Sequence, residues 1–307
     1  MAFQTVARLR NVSLAADELH LSQSAVSVQI ASLEEAVGAA LTVRTGRGVR
    51  LTEAGELLLG HAERLLALWQ EASDDMASFL GPFSGSLRVG AVSTAEYFLP
   101  RLLVTFVDAN PDVKVKLSVG NRDQIVRSLA NHEVDVAVMG QPPSELNLTT
   151  TRIAKNPMGF VASPKHPIMS MPNLSMATLA EARLIVRERG SGSRTTVERL
   201  FKQAGLQLRI GSELSTNESI KQMCAAGFGP AYLSIHACVL EMKAGLIKLV
   251  PIENNPVQRE WNAVHLTSRE MPQVALAFAQ FLREKGAAEI HRHVSAAWDG
   301  SAEAVAV

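Results

Sequence analysis

Residues 13–38, SLAADELHLSQSAVSVQIASLEEAVG, read as two short helices meeting at a tight turn. Ser13 and Ser22 each stand just ahead of a segment of helical period, where a side-chain oxygen accepts an orphan N–H of the first turn, so both are expected as N-caps. Leu14, Leu19 and Leu21, then Val26, Ile30, Leu33 and Val37, are expected on the inner sides, with Ala15, Ala16 and Ala25 allowing a close crossing. Left outward beside Ser22 are Gln23, Ser24, Ser27, Val28 and Gln29. Amides pair bidentately with adenine, hydroxyls serve several base edges, and a small apolar group meets the thymine methyl. Helices that read DNA dock by their N-terminal residues, where these lie. A helical hairpin with a solvated face has the same pattern, so the neighbouring sequence must decide.

That sequence favours a DNA reader. Residues 40–51, ALTVRTGRGVRL, hold two β-prone runs around a Gly-containing turn, and Arg44, Arg47 and Arg50 are expected to cluster there as a wing that meets phosphates. Thr52 is then expected to cap a long helix whose apolar residues Leu58, Ala62, Leu65, Trp69, Ala72, Met76 and Phe79 step alternately by four and three. Such a heptad seam asks for a second helix, and a helix over 53–79 is about 40 Å long. Dimerisation through Leu58, Ala62, Leu65, Trp69, Ala72 and Met76 is the expectation, pairing two recognition helices on one duplex.

The 307 residues carry 30 Lys plus Arg against 30 Asp plus Glu, so nucleic-acid affinity must come from a local patch and not from overall charge. A hydrophobic share of 47% with 20% charged residues suits a globular chain of two or three units. Two cysteines, Cys224 and Cys238, form no disulfide framework and suit a reducing compartment. The start MAFQTVARLR is unlike a secretory signal, and the charge-free stretch 222–240 is interrupted by Gly227, Gly229 and Pro230. A cytoplasmic protein without a membrane span is expected.

Gly81, Pro82, Ser84 and Gly85 mark a hinge, after which the texture changes. LRVGAV from Leu87, VKVKLSV from Val113 and VDVAVM from Val134 read as strands separated by helices at 96–109 and 123–131. The alternation resumes with strands near 159–162, 183–186, 209–213, 231–234 and 246–250, then a strand at 261–266 and a helix at 273–285. This predicts two α/β lobes, each with a mainly parallel sheet, and a ligand cleft outside the strands' carboxyl ends. Ser93, Thr94, Asn121, Arg122, Gln141, Ser191, Ser193, Arg194, Thr195 and Asn217 stand at such ends or at helix starts, several of them on anion-suited first turns. Ser93 to Glu96 has capping-box spacing. A small anionic metabolite, phosphorylated or not, is the expected ligand. No Gly-x-Ser-x-Gly elbow, phosphate loop or His-Glu-x-x-His zinc pair is present, and His291 and His293 are spaced wrongly for one helix face, so neither catalysis nor a metal is expected.

The hairpin, the wing ending in LTEAG, the long helix and the two lobes together resemble the LysR-type transcriptional regulators. GNRDQIVRSLANHEVDVAVMGQPP from Gly120, VASPKHPI from Val161, RERGSGSRT from Arg187 and STNESIKQ from Ser215 look like the regulators of Calvin-cycle carbon-fixation operons within that family. The resemblance implies a winged helix-turn-helix over 1–52, a dimerising linker helix and hinge over 53–83, and a periplasmic-binding-protein-like effector domain over 84–290. In that domain lobe I takes 84–157 and 261–290 and lobe II 158–260, and residues 291–307 form a flexible tail. It also implies promoter DNA as partner, a homodimer or homotetramer, and a phosphorylated sugar, phosphoenolpyruvate or NADPH as effector, with no other cofactor. The competing reading is a solute-binding or enzymatic two-lobed α/β protein with a helical appendage.

Overall fold

The computed structural model describes residues 1–45, 48–78 and 85–297. Helix α1 (Ala2–Leu9) buries Phe3 and Val6 under the hairpin. Helix α2 (Val12–Leu19) is capped by Asn11 and not by Ser13, because the Asn11 Oδ1 accepts from Ser13 N at 2.9 Å and Leu14 N at 3.2 Å. The earlier start rotates the inner face to Val12, Ala15, Ala16 and Leu19, which pack together. Leu14 and Leu21 are therefore 53% and 40% exposed, and Val37 also faces out, contrary to the sequence expectation. Helix α3 (Gln23–Val37) is capped as expected, Ser22 Oγ accepting from Ala25 N at 3.1 Å.

Strands β1 (Thr42–Thr45) and β2 (Gly48–Leu51) form the antiparallel wing. Its base is fastened twice. Glu34 of α3 accepts from Leu41 N at 2.7 Å and from Thr42 N at 2.9 Å, while Val49 N donates to Arg10 O at 2.9 Å. Gly48, at φ 141°, passes so near α1 that a Cβ there would lie 2.4 Å from Arg10 O. Thr52 then caps α4 (Glu53–Ser78), accepting from Gly55 N at 3.0 Å. The unit built from these elements comprises Met1–Met76 with Asn131–Glu133. Phe79 and the expected hinge residues Gly81, Pro82 and Ser84 lie outside the described residues.

The second unit opens with β3 (Gly85–Val92), a short 3-10 turn (Ala95–Tyr97), α5 (Leu99–Ala109), β4 (Val113–Gly120), α6 (Arg122–Ala130) and β5 (Val136–Met139). Strand β6 (Leu148–Ala162), α7 (Met176–Glu181), β7 (Leu184–Arg187), α8 (Gly192–Gln203), β8 (Ile210–Leu214), α9 (Asn217–Ala225) and β9 (Ala231–Ser234) follow. The order closes with α10 (Ile235–Lys243), β10 (Lys248–Leu249), β11 (Val257–Leu266) and α11 (Gln273–Ala297). The sheet order is β4-β3-β5-β11-β6-β9-β7-β8, with β10 on β6. Strands β3, β4 and β5 are parallel, as are β7, β8 and β9, and these two sets carry the two lobes. Joining them is an antiparallel ribbon of β6 and β11, paired from Val257↔Met158 to Leu266↔Leu148 with a register shift at Trp261/Asn262. The stretch 222–240 resolves into α9, β9 and α10, and no helix among the described residues is long and apolar enough to cross a membrane.

Lobe I packs Phe98, Leu102, Phe106, Trp261 and Phe278 into one core, and lobe II packs Phe160, Leu184, Val186, Phe201 and Tyr232 into another. Helix α11 runs well past Lys285, so the first part of the expected tail, 291–297, is helical; 298–307 lies outside the described residues. Two contacts hold that continuation. Ile290 is 2% exposed, and Gly286 packs so closely that a Cβ would lie 2.4 Å from Ile153 Cγ2. Arg88, Asp135 and Arg269 form a buried charge group in lobe I, with Asp135 Oδ1 2.6 Å from Arg88 Nη2 and 3.2 Å from Arg269 Nη1.

Candidate functional site

In the N-terminal unit the outward positions of α3 carry the expected chemistry: Gln23, Ser24, Val28 and Gln29 are exposed and Ser27 is half-buried. Ser22 is engaged as the cap, and its Oγ lies 2.9 Å from Ser24 Oγ. The arginines do not converge as expected. Opposite residues of an antiparallel pair share a face and neighbours alternate. Since Arg44 stands opposite Val49 and Val43 opposite Arg50, the two guanidinium groups leave opposite faces of the wing. Arg50 lies near its base, lining a groove with Arg10 and Leu59, whereas Arg44 lies near the tip. Arg47 is outside the described residues. Along α4, Leu65, Trp69 and Met76 are 67%, 73% and 66% exposed, as are the adjoining Leu57 and Leu68 at 69% and 59%. Leu58 and Ala62 are half-buried and Ala72 is exposed.

In the second unit a cavity of about 60 Å³ lies between the lobes. Lobe I reaches it by the turns after its three parallel strands: Ser93 and Thr94 after β3, Asn121 and Arg122 after β4, Gly140 and Gln141 after β5. Lobe II contributes Arg187 from the end of β7 and Ser191, Ser193 and Thr196 from the start of α8. The crossing ribbon and β9 supply Asn156, Arg259, Trp261 and Ser234. Ser191 is the N-cap of α8 yet makes no side-chain capping bond, which leaves this helix start able to receive an anion. Gln141 is held in place at the rim, its carbonyl accepting from Arg122 Nε at 3.2 Å and its Oε1 from Arg259 Nη2 at 2.7 Å. Trp261 is fixed by donating Nε1–H to His236 Nδ1 at 2.9 Å.

Seven of the ten residues expected at the cleft therefore line it. Three do not. Arg194 is buried away from the cavity, binding Glu198, Glu213 and the Arg187 carbonyl. Burial pushes its guanidinium pKa down, but the two carboxylates raise it further. Thr195 is on the exposed side of α8, one position too early, and its neighbour Thr196 takes the place. Asn217 stands behind the wall and accepts from Arg187 Nη1 at 2.7 Å. The expected Ser93–Glu96 capping box does not form; the 3-10 turn starts after Thr94 without a side-chain bond, and Ser93 Oγ accepts from Arg187 Nη1 at 3.0 Å.

Arg187 is the most consequential of the lining residues that sequence reasoning missed, the others including Asn156, Thr196, Ser234, Arg259 and Trp261. A cation closing the apolar run LIVR was the available signal, since a buried charge at a strand end needs a partner or a ligand. Its side chain is 3% exposed. Behind it, Lys221 of α9 pairs with Glu241 at 2.7 Å and Glu218 at 2.9 Å, and lies 4.7 Å from the ring of Tyr97 in lobe I. Burial pushes the Tyr97 hydroxyl up to about 12, and burial also raises the Glu96 carboxyl against the pull of Arg187 and Lys221.

Comparison with known proteins places both units. The description "Bacterial regulatory helix-turn-helix protein, lysR family" matches residues 1–56, and "LysR substrate binding domain" matches residues 80–287. The RuBisCO operon transcriptional regulator of Allochromatium vinosum is 35% identical over 285 residues, covering 93% of this chain and 94% of that protein. Among solved structures, the Synechocystis PCC6803 CcmR regulatory domain in complex with 2-PG superposes with a TM-score of 0.62 at 33% identity, over 64% of this chain and 95% of that one. Full-length CbnR complexed with its target DNA shares the fold, with a TM-score of 0.69 at 23% identity over 92% of this chain and 96% of that one. With a reading head at one end, a two-lobed anion-suited cavity at the other and matching family descriptions over both, the chain belongs to the LysR-type transcriptional regulators.

Proposed function

We propose that this regulator controls carbon-fixation genes by binding promoter DNA as a dimer paired through α4, in response to a compact phosphorylated carboxylate bound between its lobes. The observation that carries the effector reading is the cavity wall: three guanidinium groups, Arg122, Arg187 and Arg259, with the hydroxyls of Ser93, Thr94, Ser191 and Ser193 and the uncapped start of α8. Guanidinium groups and helix N-termini are the groups that hold phosphate and carboxylate oxygens. A cavity of about 60 Å³ has room for a compact anion of the size of 2-phosphoglycolate. The similarity to a RuBisCO operon regulator and to a regulatory domain holding 2-PG supports the same reading. A DNA-reading unit joined to the cavity-bearing unit supports a regulator over a solute-binding protein or enzyme.

The test is a thermal-shift series on the full chain. A ligand that binds only the folded state stabilises it by about 2.7 kcal/mol at a hundredfold excess over Kd. 2-Phosphoglycolate is expected to raise the midpoint in the wild type and not in Arg187→Ala. Stabilisation by NADPH alone would overturn the choice of effector.

A further inference from the structure

Of the guanidinium groups on the cavity wall, that of Arg187 is already held by a carboxylate of its own chain. Arg187 Nε donates to Glu188 Oε2 at 2.8 Å and Nη2 donates to Glu188 Oε1 at 3.0 Å, a two-toothed pair between sequence neighbours. Nη1 donates to Ser93 Oγ and to Asn217 Oδ1. Four of the five guanidinium N–H groups therefore have protein partners, and the positive charge is neutralised on the spot. The pair also ties the lobes together. Ser93 belongs to lobe I, and Glu188 Oε1 accepts from the lobe I Asn121 Nδ2 at 3.3 Å, while alongside it Asp123 N donates to Gly190 O at 3.2 Å. Glu188 differs from its partner in one respect: its side chain is 21% exposed against 3% for Arg187, so it has solvent to move into.

We propose that Glu188 is a built-in competitor for the effector anion: a phosphate or carboxylate entering the cavity takes its place on Arg187, and the displaced carboxylate gives up the Asn121 contact between the lobes. This rests on the reading of the cavity as the effector site. The exchange replaces one charge-assisted fork by another, so the guanidinium is satisfied in both states. What differs between the states is the contact across the cleft, and an effector shifts an equilibrium only through such a difference. The effector's affinity is thereby held down by the residue that transmits its arrival.

Isothermal titration of the full chain with inorganic phosphate tests this, using wild type, Glu188→Gln and Glu188→Asp. The glutamine keeps a carbonyl for Asn121 but removes the charge, and phosphate is expected to bind about tenfold tighter, a gain of about 1.4 kcal/mol. The aspartate keeps the charge and is expected to stay near wild type. Equal or weaker binding by Glu188→Gln, or equal tightening by Glu188→Asp, would overturn the competitor while leaving the cavity as the effector site. Absence of phosphate binding by wild type and by Glu188→Gln alike would remove the cavity reading and the competitor with it. Should Glu188→Gln melt abnormally in the absence of ligand, Glu188→Ala serves in its place, with the same tightening expected.

Discussion

Two buried or half-buried carboxylates illustrate what single residues contribute apart from the effector site. Asp135 is 4% exposed and touches both Arg88 and Arg269, so removing its charge leaves two cations without it inside lobe I. Breaking such a group from one side costs about 3–5 kcal/mol, because the penalty is the stranded charge and not the lost attraction. Asp135→Ala should lower the denaturant midpoint of the second unit accordingly, and a change below about 1 kcal/mol would show that water reaches the two arginines. Glu34 makes a different kind of bond. Burial pushes its carboxyl up, but the N–H groups of Leu41 and Thr42 and the Thr42 hydroxyl outweigh that and hold it below its ordinary 4.5. A depressed carboxylate stabilises the fold above its unfolded value, and the contribution is lost as pH falls through the folded one. Acidification below pH 4.5 should therefore weaken the wild-type reading head more steeply than Glu34→Gln, which still offers an acceptor. Urea unfolding at several pH values reads this directly, and parallel curves would reject it.

At the scale of elements, the proposed DNA recognition puts base reading on α3 and phosphate contact on the wing. Base-edge contacts are directional and worth about 1–3 kcal/mol of discrimination, whereas phosphate contacts add affinity that falls with salt. Gln29→Ala should therefore change the preference between operator variants. Arg44→Ala should weaken all duplexes alike and reduce the salt slope by about one for the contact removed, with Arg50→Ala having the smaller effect from its place near the wing's base. Binding titrations over a salt series separate the two, and a larger loss at Arg50 would reverse their order. The helices here were legible because each has one buried face and a matching period, and strands β3, β5, β7 and β9 because they are buried along most of their length and read as apolar runs. The register of the wing was not, since three arginines in sequence say nothing of which face each leaves. Neither was the full extent of β6 and β11. Their shared ribbon bears Thr149, Arg152, Lys155, Arg259 and Glu260, and over 148–152 and 257–260, where it is half-buried or exposed, it shows no apolar run. The cavity was legible at the strand ends of lobe I and at the start of α8. It was missed at Asn156, Arg259 and Trp261, which reach it from the middle of that ribbon.

For the whole molecule, the two ends must be coupled through something that both share, and the pattern of α4 points to a second copy of the chain. The seam steps by four and three, which keeps one stripe facing a partner over the whole helix. Leu65 and Met76 on that stripe are two-thirds exposed in the single chain, far more than apolar residues of this size accept in a helix that has finished packing. Leu57 and Leu68 widen the exposed strip to the breadth of a helix pair. Two reading heads held by such a pair would meet two half-sites, and the second contact would then form at the high effective concentration set by the tether. Leu65→Glu puts a charge into the middle of this seam without touching α3 or the cavity. Sedimentation should show the variant as a monomer at concentrations where the wild type is paired. Its affinity for a two-half-site fragment should fall to that for one half-site, while 2-phosphoglycolate still shifts its melting midpoint, because the cavity is built within one chain. A variant that stays paired would place the dimer contact elsewhere. One that is monomeric yet keeps full affinity for the double site would show that the two heads bind independently, and the lobes would then have to act on each head and not on the distance between them.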